Sequence, residues 1–486
     1  MADKTRRGMT RRSVLKYAAA AAAATRASSM LASSVLAGAP STKPNFVIIL
    51  CDDMGFADLA AFGNPVINTP NIDRLAQEGL KMTSFCVAPA CSPTRGMLMT
   101  GKYPPRTGLI NVTGPGSPVG VRPSDTTIAQ ALKLQGYRTA MFGKWHIGDF
   151  DTNPAFNPTE HGFDQFYGLP YSHDYNQPAG VPLYRNKEKI EQPVKYNLLT
   201  KRYTEGATRF IRETGKEPFF LYLAHNMPHI PVGTSPEFSG HSRAGRYGDV
   251  IEEIDWSVGE VLRTLKETGK EKDTVVVFTS DNGPWLAVGE QTYDRKERGS
   301  KETGDVGWAG ILKGGKSSTY EGGVRVPTIS RYPGVFPAGK TTAEMASVLD
   351  LYATFVNIAG GSIPASRKID GVDITSLLKG GRTSPRQELF YYSSDTIQAV
   401  RQGSWKLRIA PVGADGVTTK NYGATKGEMV TELYNLDTDP SERFNMATKE
   451  PEIVARLSAR MKEFDDALKA TRLPLTAYLE RVPQKD

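Results

Sequence analysis

Four short apolar runs, each followed at once by polar or ionisable residues, constrain this chain more than any other feature. Asn45-Phe46-Val47-Ile48-Ile49-Leu50 runs into Asp52-Asp53-Met54-Gly55, and Tyr137 to Phe142 runs into Gly143-Lys144-Trp145-His146. Phe219 to Ala224 leads to His225-Asn226-Met227-Pro228-His229, and Thr274 to Thr279 leads to Asp281-Asn282-Gly283-Pro284. Apolar runs of this length without polar alternation mark strands buried on both faces, as in a parallel sheet covered by helices. Helical patterns fall between them, among them Thr126 to Leu134 and Ile251 to Leu265. The sequence therefore predicts an α/β fold with a mostly parallel central sheet flanked by helices. In such sheets ligands bind beyond the carboxyl ends of the strands. One polar ending is an ordinary loop start; four point to a shared site.

The acids at these endings have a chemistry in common. Asp52, Asp53, Asp281 and Asn282 make an all-oxygen set suited to a hard cation, calcium or magnesium. Zinc would recruit His or Cys. The same residues also suit a helix cap and an Asp-Asn-Gly turn, so spacing alone leaves both readings open. The three cysteines are too few for a disulfide framework in an exported chain of 486 residues. Cys51 and Cys86 read as structural, Cys51 as a small buried hydrophobe. Cys91 differs. In Cys91-Ser92-Pro93-Thr94-Arg95-Gly96, Pro93 suits an early helical position and sets Cys91 at a helix N-terminus, where backbone N–H groups favour an anion. A thiol there would have a lowered pKa, so a thiol hydrolase is one reading.

The wider pattern resembles the type I sulfatases. Their Cys-x-Pro-x-Arg signature, followed by Thr-Gly-Lys, stands here as Cys91 to Arg95 and Thr100-Gly101-Lys102. The likeness extends from Asp52 to about Glu442 through Gly143 to His146, Pro170-Tyr171-Ser172-His173-Asp174, Asp281 to Gly283 and Gly315 to Arg325. It implies an alkaline-phosphatase-like fold and a formylglycine made from Cys91 by a separate maturase. The aldehyde hydrate presents two hydroxyls, one of which attacks sulfur. The resemblance implies a divalent metal, calcium with magnesium as a possibility, held by Asp52, Asp53, Asp281, Asn282 and the modified Cys91. It further implies that Arg95 holds the hydrate and that Lys144 and Lys316 contact sulfate, with Ser172 as a further contact. His229 would protonate the leaving oxygen, and His146 would take the proton that lets sulfate depart. His225, a near rival to His229, reads as structural together with His161 and His173.

Charge and ends complete the reading. Seven of the 60 Lys and Arg lie in the first 39 residues against one acid, which leaves the body near neutrality and gives no reason to expect a nucleic-acid partner. Arg11-Arg12, an alanine-rich run and small residues around Ala37-Gly38-Ala39 form a twin-arginine export leader over residues 1–39. This predicts export, to the periplasm, by the twin-arginine machinery. No later segment is apolar enough for a stable membrane anchor. Residues 40–385 are expected to form the catalytic domain, and 386–486 a smaller antiparallel sheet closed by a helix from Glu452 to about Ala467. Residues 286–312 read as a long loop. The expected substrate is a sulfated small molecule or glycan. The competing readings are a phosphodiester or phosphonate monoester hydrolase on the same scaffold, and an unmodified, non-catalytic glycan-binding protein.

Overall fold

A computed structural model describes residues 43–289, 306–417 and 423–472. The expected leader and the middle of the 286–312 loop lie outside the described residues. The strands are β1 (Asn45–Cys51), β2 (Leu80–Met82), β3 (Phe85–Cys86), β4 (Arg138–Lys144), β5 (Gln165–Leu169), β6 (Leu183–Arg185), β7 (Glu188–Glu191), β8 (Phe219–Ala224) and β9 (Thr274–Ser280). They continue as β10 (Thr328–Arg331), β11 (Lys340–Thr342), β12 (Ala346–Ser347), β13 (Glu388–Ser393), β14 (Thr396–Gln402), β15 (Trp405–Pro411) and β16 (Met429–Asn435). One ten-stranded sheet runs in the order β11-β2-β10-β9-β1-β8-β4-β5-β6-β7. Its centre, β9-β1-β8-β4-β5, is parallel throughout. Strands β13 to β16 form a separate antiparallel sheet in sequence order.

The period of two along β1 divides the apolar interior. Phe46, Ile48 and Leu50 face a core shared with Leu98, Ile128, Leu132 and Phe355. Val47, Ile49 and Cys51 face one shared with Ile72, Tyr203, Ile251 and Val258. Helices thus cover both faces, as the unbroken apolar strands require. The helix Leu199–Glu213 shows why: its buried Leu199, Tyr203, Ala207, Phe210 and Ile211 recur at helical spacing and make one apolar stripe.

All four expected strands are present, and β4 and β9 extend to Lys144 and Ser280. The helix expected from Ile251 begins at Gly245, because Tyr247 and Val250 are also buried in a stretch whose glycines and Asp249 hide the period. Strand β5 was not anticipated: Gln165-Phe166-Tyr167-Gly168-Leu169 carries no unbroken apolar run. The final helix spans Pro451–Lys469. At the active edge, Gly143 has φ +127°, and a Cβ there would lie 1.8 Å from the carbonyl oxygen of Ala224. Only glycine lets β4 approach β8 this closely one residue before Lys144.

Candidate active site

Cys91 is the first residue of the helix Cys91–Thr100, all ten residues of which are buried. No side chain caps this helix at Ala90. The Cys91 Sγ lies 3.3 Å from Asp52 Oδ1 and 3.8 Å from Asp53 Oδ1. Burial, then Asp281 and Asp52, push its thiol well above the ordinary value. The expected lowering of an unmodified thiol is therefore overturned, because two buried carboxylates and lost hydration outweigh the helix end. This removes the main attraction of the thiol-hydrolase reading.

The carboxylates are interleaved with cations. Lys144 Nζ donates to Asp52 Oδ2 at 2.5 Å, and Lys316 Nζ donates to Asp53 Oδ2 at 2.8 Å. Arg95 donates through Nε to Asp281 Oδ2 at 2.9 Å and through Nη1 to the Lys144 carbonyl at 2.7 Å, tying the ends of β9 and β4 together. Burial opposes ionisation of Asp52, but Lys144, His229, Arg95 and Lys316 outweigh it and hold that carboxyl well below its usual range. For Asp281, burial and then Asp52 prevail over Arg95 and raise it to about 7. Asp53 and His146 have φ of 67° and 59°, a left-handed backbone that costs non-glycine residues about 1–3 kcal/mol. Both lie where the side chain must turn into the site.

One ligand atom each from Asp52, Asp53, Cys91 and His229 fall within 4.8 Å of one another. The buried Asn282 donates through Nδ2 to Asp53 Oδ1 at 2.6 Å, while its Oδ1 has no donor among the described residues. Carboxylates converging beside an orphaned amide oxygen fit a hard cation. Asp281 is less available than the sequence suggests. Its Oδ2 is held by Arg95, and its Oδ1 accepts the Asp53 N–H at 3.2 Å.

Above this layer opens a cleft of about 500 Å³ lined by Cys91, His146, Ser172, His229 and Lys316 from the expected set. Asp52, Asp53, Arg95, Lys144, Asp281 and Asn282 lie buried near Cys91 or one another. Neither ring nitrogen of His146 has a partner among the described residues. Burial, Lys144 and Arg95 hold its pKa well below the ordinary value, so the ring is neutral. His229 Nδ1 is 2.6 Å from the Ile230 carbonyl, which can only accept, so Nδ1 carries a proton and Nε2 remains for exchange. Nε2 is 3.5 Å from Asp53 Oδ2. His225 is a different case: its Nε2 pairs with Ser257 Oγ at 3.2 Å, and burial pushes it down to about 3.

The cleft also contains residues to which the sequence gave no role, notably Asn111, Asp174, Tyr175, Trp285 and the Tyr392-Ser393-Ser394 turn. Lys316 Nζ stands 4.4 Å from the centre of the Trp285 ring. Trp285 could have been found, since it follows Asp281-Asn282-Gly283-Pro284 directly. The serines of the β13–β14 turn carry no such signal. The Lys316 segment is held from two sides. Its own N–H donates to the Pro284 carbonyl, Ser317 N–H to Pro89, and Gly315 N–H to Asp415 in the antiparallel sheet's β15–β16 connection. Farther on, Glu321 N–H donates to Glu442 Oε2 at 2.6 Å, and the fully buried Lys406 bridges Glu321 and Glu442 at 2.8 and 2.9 Å.

Residues 44–361 match the sulfatase family model, and residues 384–481 match the C-terminal region of aryl-sulfatase. This chain belongs to the sulfatase family. As a sulfatase it hydrolyses sulfate esters, and its family implies a metal ion and a formylglycine. It is 37% identical to the N-acetylgalactosamine-6-sulfatase of Rattus norvegicus, over 84% of this chain and 82% of that one. It is 33% identical to the steryl-sulfatase of Homo sapiens, over 83% and 84% of the two chains. Among solved structures, the PsFucS1 sulfatase from Pseudoalteromonas sp. superposes with a TM-score of 0.74 at 27% identity, covering 91% of this sulfatase and 92% of that chain. No helix among the described residues is long and apolar enough to cross a membrane.

Proposed function

We propose that this sulfatase works through a formylglycine at position 91 and a calcium ion, on a sulfated small molecule or glycan. The observation that carries the reading is the position of Cys91: its sulfur contacts Asp52 and Asp53, above a buried layer of paired acids and bases, at the floor of an open cleft. When bound, the divalent ion supplies Lewis acidity toward sulfate, and the modified residue supplies a hydroxyl nucleophile. Asp52, Asp53, Asp281 and Asn282 are the residues that would hold the ion beside position 91.

The other side chains take their roles from their surroundings. Lys144 and Lys316 offset charge on the transferring group, already fixed by Asp52 and Asp53. Arg95 orients position 91, and Ser172 contacts sulfate from the cleft wall. His229 gives a proton from Nε2 to the departing oxygen. His146, neutral and without a hydrogen-bond partner among the described residues, accepts one from a hydroxyl at position 91. Export by the twin-arginine route to the periplasm, with a maturase acting on Cys91, belongs to the same proposal and is supported by Arg11-Arg12 and the alanine-rich run behind them. We further assign residues 40–385 to the catalytic domain and 386–486 to a C-terminal subdomain that completes the cleft rim.

Two measurements test these assignments. Chelation should abolish release of sulfate from 4-nitrophenyl sulfate, and calcium should restore it; rescue by zinc alone would contradict the oxygen ligand set. His229→Ala should slow alkyl sulfates by about 10²–10⁴-fold, because a basic leaving oxygen needs the proton. The same variant should lose far less on an activated aryl sulfate. Equal losses on both would remove His229 from the acid role.

A further inference from the structure

We infer that Asp174 makes this sulfatase selective for esters with no second anionic group beside the scissile sulfate. The inference rests on the sulfatase reading above and concerns the part of the cleft that holds the rest of the substrate. Among the described residues lining the cleft, the permanent cation is Lys316, and it belongs to the sulfate end together with His146 and His229. Lys316 is committed to Asp53 and lies against Trp285. The rest of the lining includes Tyr175, Trp285, Val112, Asn111 and Ser393, which are aromatic, apolar or neutral, with Tyr175 beside His146 and Trp285 beside His229. Asp174 is the carboxylate among these lining residues.

Burial opposes ionisation of Asp174, but His229, His173, the Ser172 hydroxyl and Lys144 outweigh it and lower the carboxyl below its ordinary value. Asp174 lines the cleft together with His229 and follows His173, whose ring centre is 5.8 Å from that of His229, so its carboxylate stands near the leaving-group histidine. Ring faces of a sugar or an aryl group can pack on Tyr175 and Trp285, and a substrate hydroxyl can donate to Asp174. A second sulfate or a carboxylate on the neighbouring carbon would instead meet a like charge in a partly desolvated cleft. At the effective dielectric of such a place, like charges several ångströms apart cost about 30-fold in rate or affinity.

The test compares a hexose monosulfate with the same hexose carrying a second sulfate on the adjacent carbon, reading kcat/KM from released sulfate. The wild type should favour the monosulfate by about 30-fold. Asp174→Asn keeps the shape and an acceptor oxygen but not the charge, and should narrow the ratio to about 5-fold or less. Asp174→Glu, which keeps the charge, should preserve most of the preference. Equal wild-type rates on the two sugars, or an unchanged ratio in Asp174→Asn, would overturn the inference. A wild type that turns over 4-nitrophenyl sulfate but shows either result loses only this inference. A matured wild type inactive on the aryl sulfate as well would take the functional reading with it.

Discussion

Replacing Cys91 by alanine should lower kcat by roughly 10⁴–10⁶-fold while leaving the protein folded. Alanine has no thiol through which Cβ can be oxidised to the aldehyde, yet it fits a buried helical position and is the best helix former. Circular dichroism and thermal melting should be close to those of the wild type. Cys91→Ser is the more discriminating variant. Its single hydroxyl still stands beside Asp52 and Asp53, so it can attack sulfur once. It has no second hydroxyl on the same carbon, and His146 then has no proton to remove. The serine variant should accumulate one sulfate per chain on the peptide containing position 91, and alanine should accumulate none. Peptide mass after exposure to an aryl sulfate, in a host without a maturase that accepts serine, checks both. Multiple turnovers by the serine variant would show that the paired-hydroxyl account is wrong.

Arg95→Met should destabilise the protein by about 3–5 kcal/mol and abolish turnover together. Arg95 is fully buried, and its guanidinium spans Asp281 and the Lys144 carbonyl. Methionine fills much of the volume but leaves Asp281 beside Asp52 without its nearest cation. A buried carboxylate stripped of its partner costs far more than an exposed ion pair is worth. Arg95→Lys should recover only part of the loss, since an ammonium cannot reach both acceptors in the guanidinium's fork geometry. Denaturant titration of the wild type and both variants measures this; a midpoint unchanged in Arg95→Met would show that the clasp between β4 and β9 is dispensable.

The parts legible in the sequence were those written as local pattern. Unbroken apolar strands such as β1 and β8 announce burial on both faces, and the residues after them announce the edge where chemistry collects. Cys91 at a helix start followed from Pro93. What could not be read depends on partners far apart in the chain. The neutral state of His146 comes from burial together with Lys144 and Arg95. The raised thiol of Cys91 comes from burial and then from Asp281 and Asp52, brought in by two other strands. The partner of His225 is Ser257, in a helix that the sequence placed but could not orient. Strand β5 was missed because its pairing with β4, not its composition, makes it a strand.

The clamp on the Lys316 segment has a bearing on synthesis. Tyr352 packs against Gly101 at the end of the Cys91 helix, and Glu442 holds the turn that follows Lys316. Glu442 leaves the ribosome roughly 350 residues after Cys91, which at about 5–20 residues per second is an interval of roughly 20–70 s. For much of that time the helix lacks Tyr352, and throughout it the turn after Lys316 lacks Glu442. In the folded chain Cys91 is 1% exposed, which leaves little of its segment for a second enzyme to grasp. On the proposed reading, modification of Cys91 by a second enzyme would therefore run against a clock, set by the distance along the chain between Cys91 and the final strands.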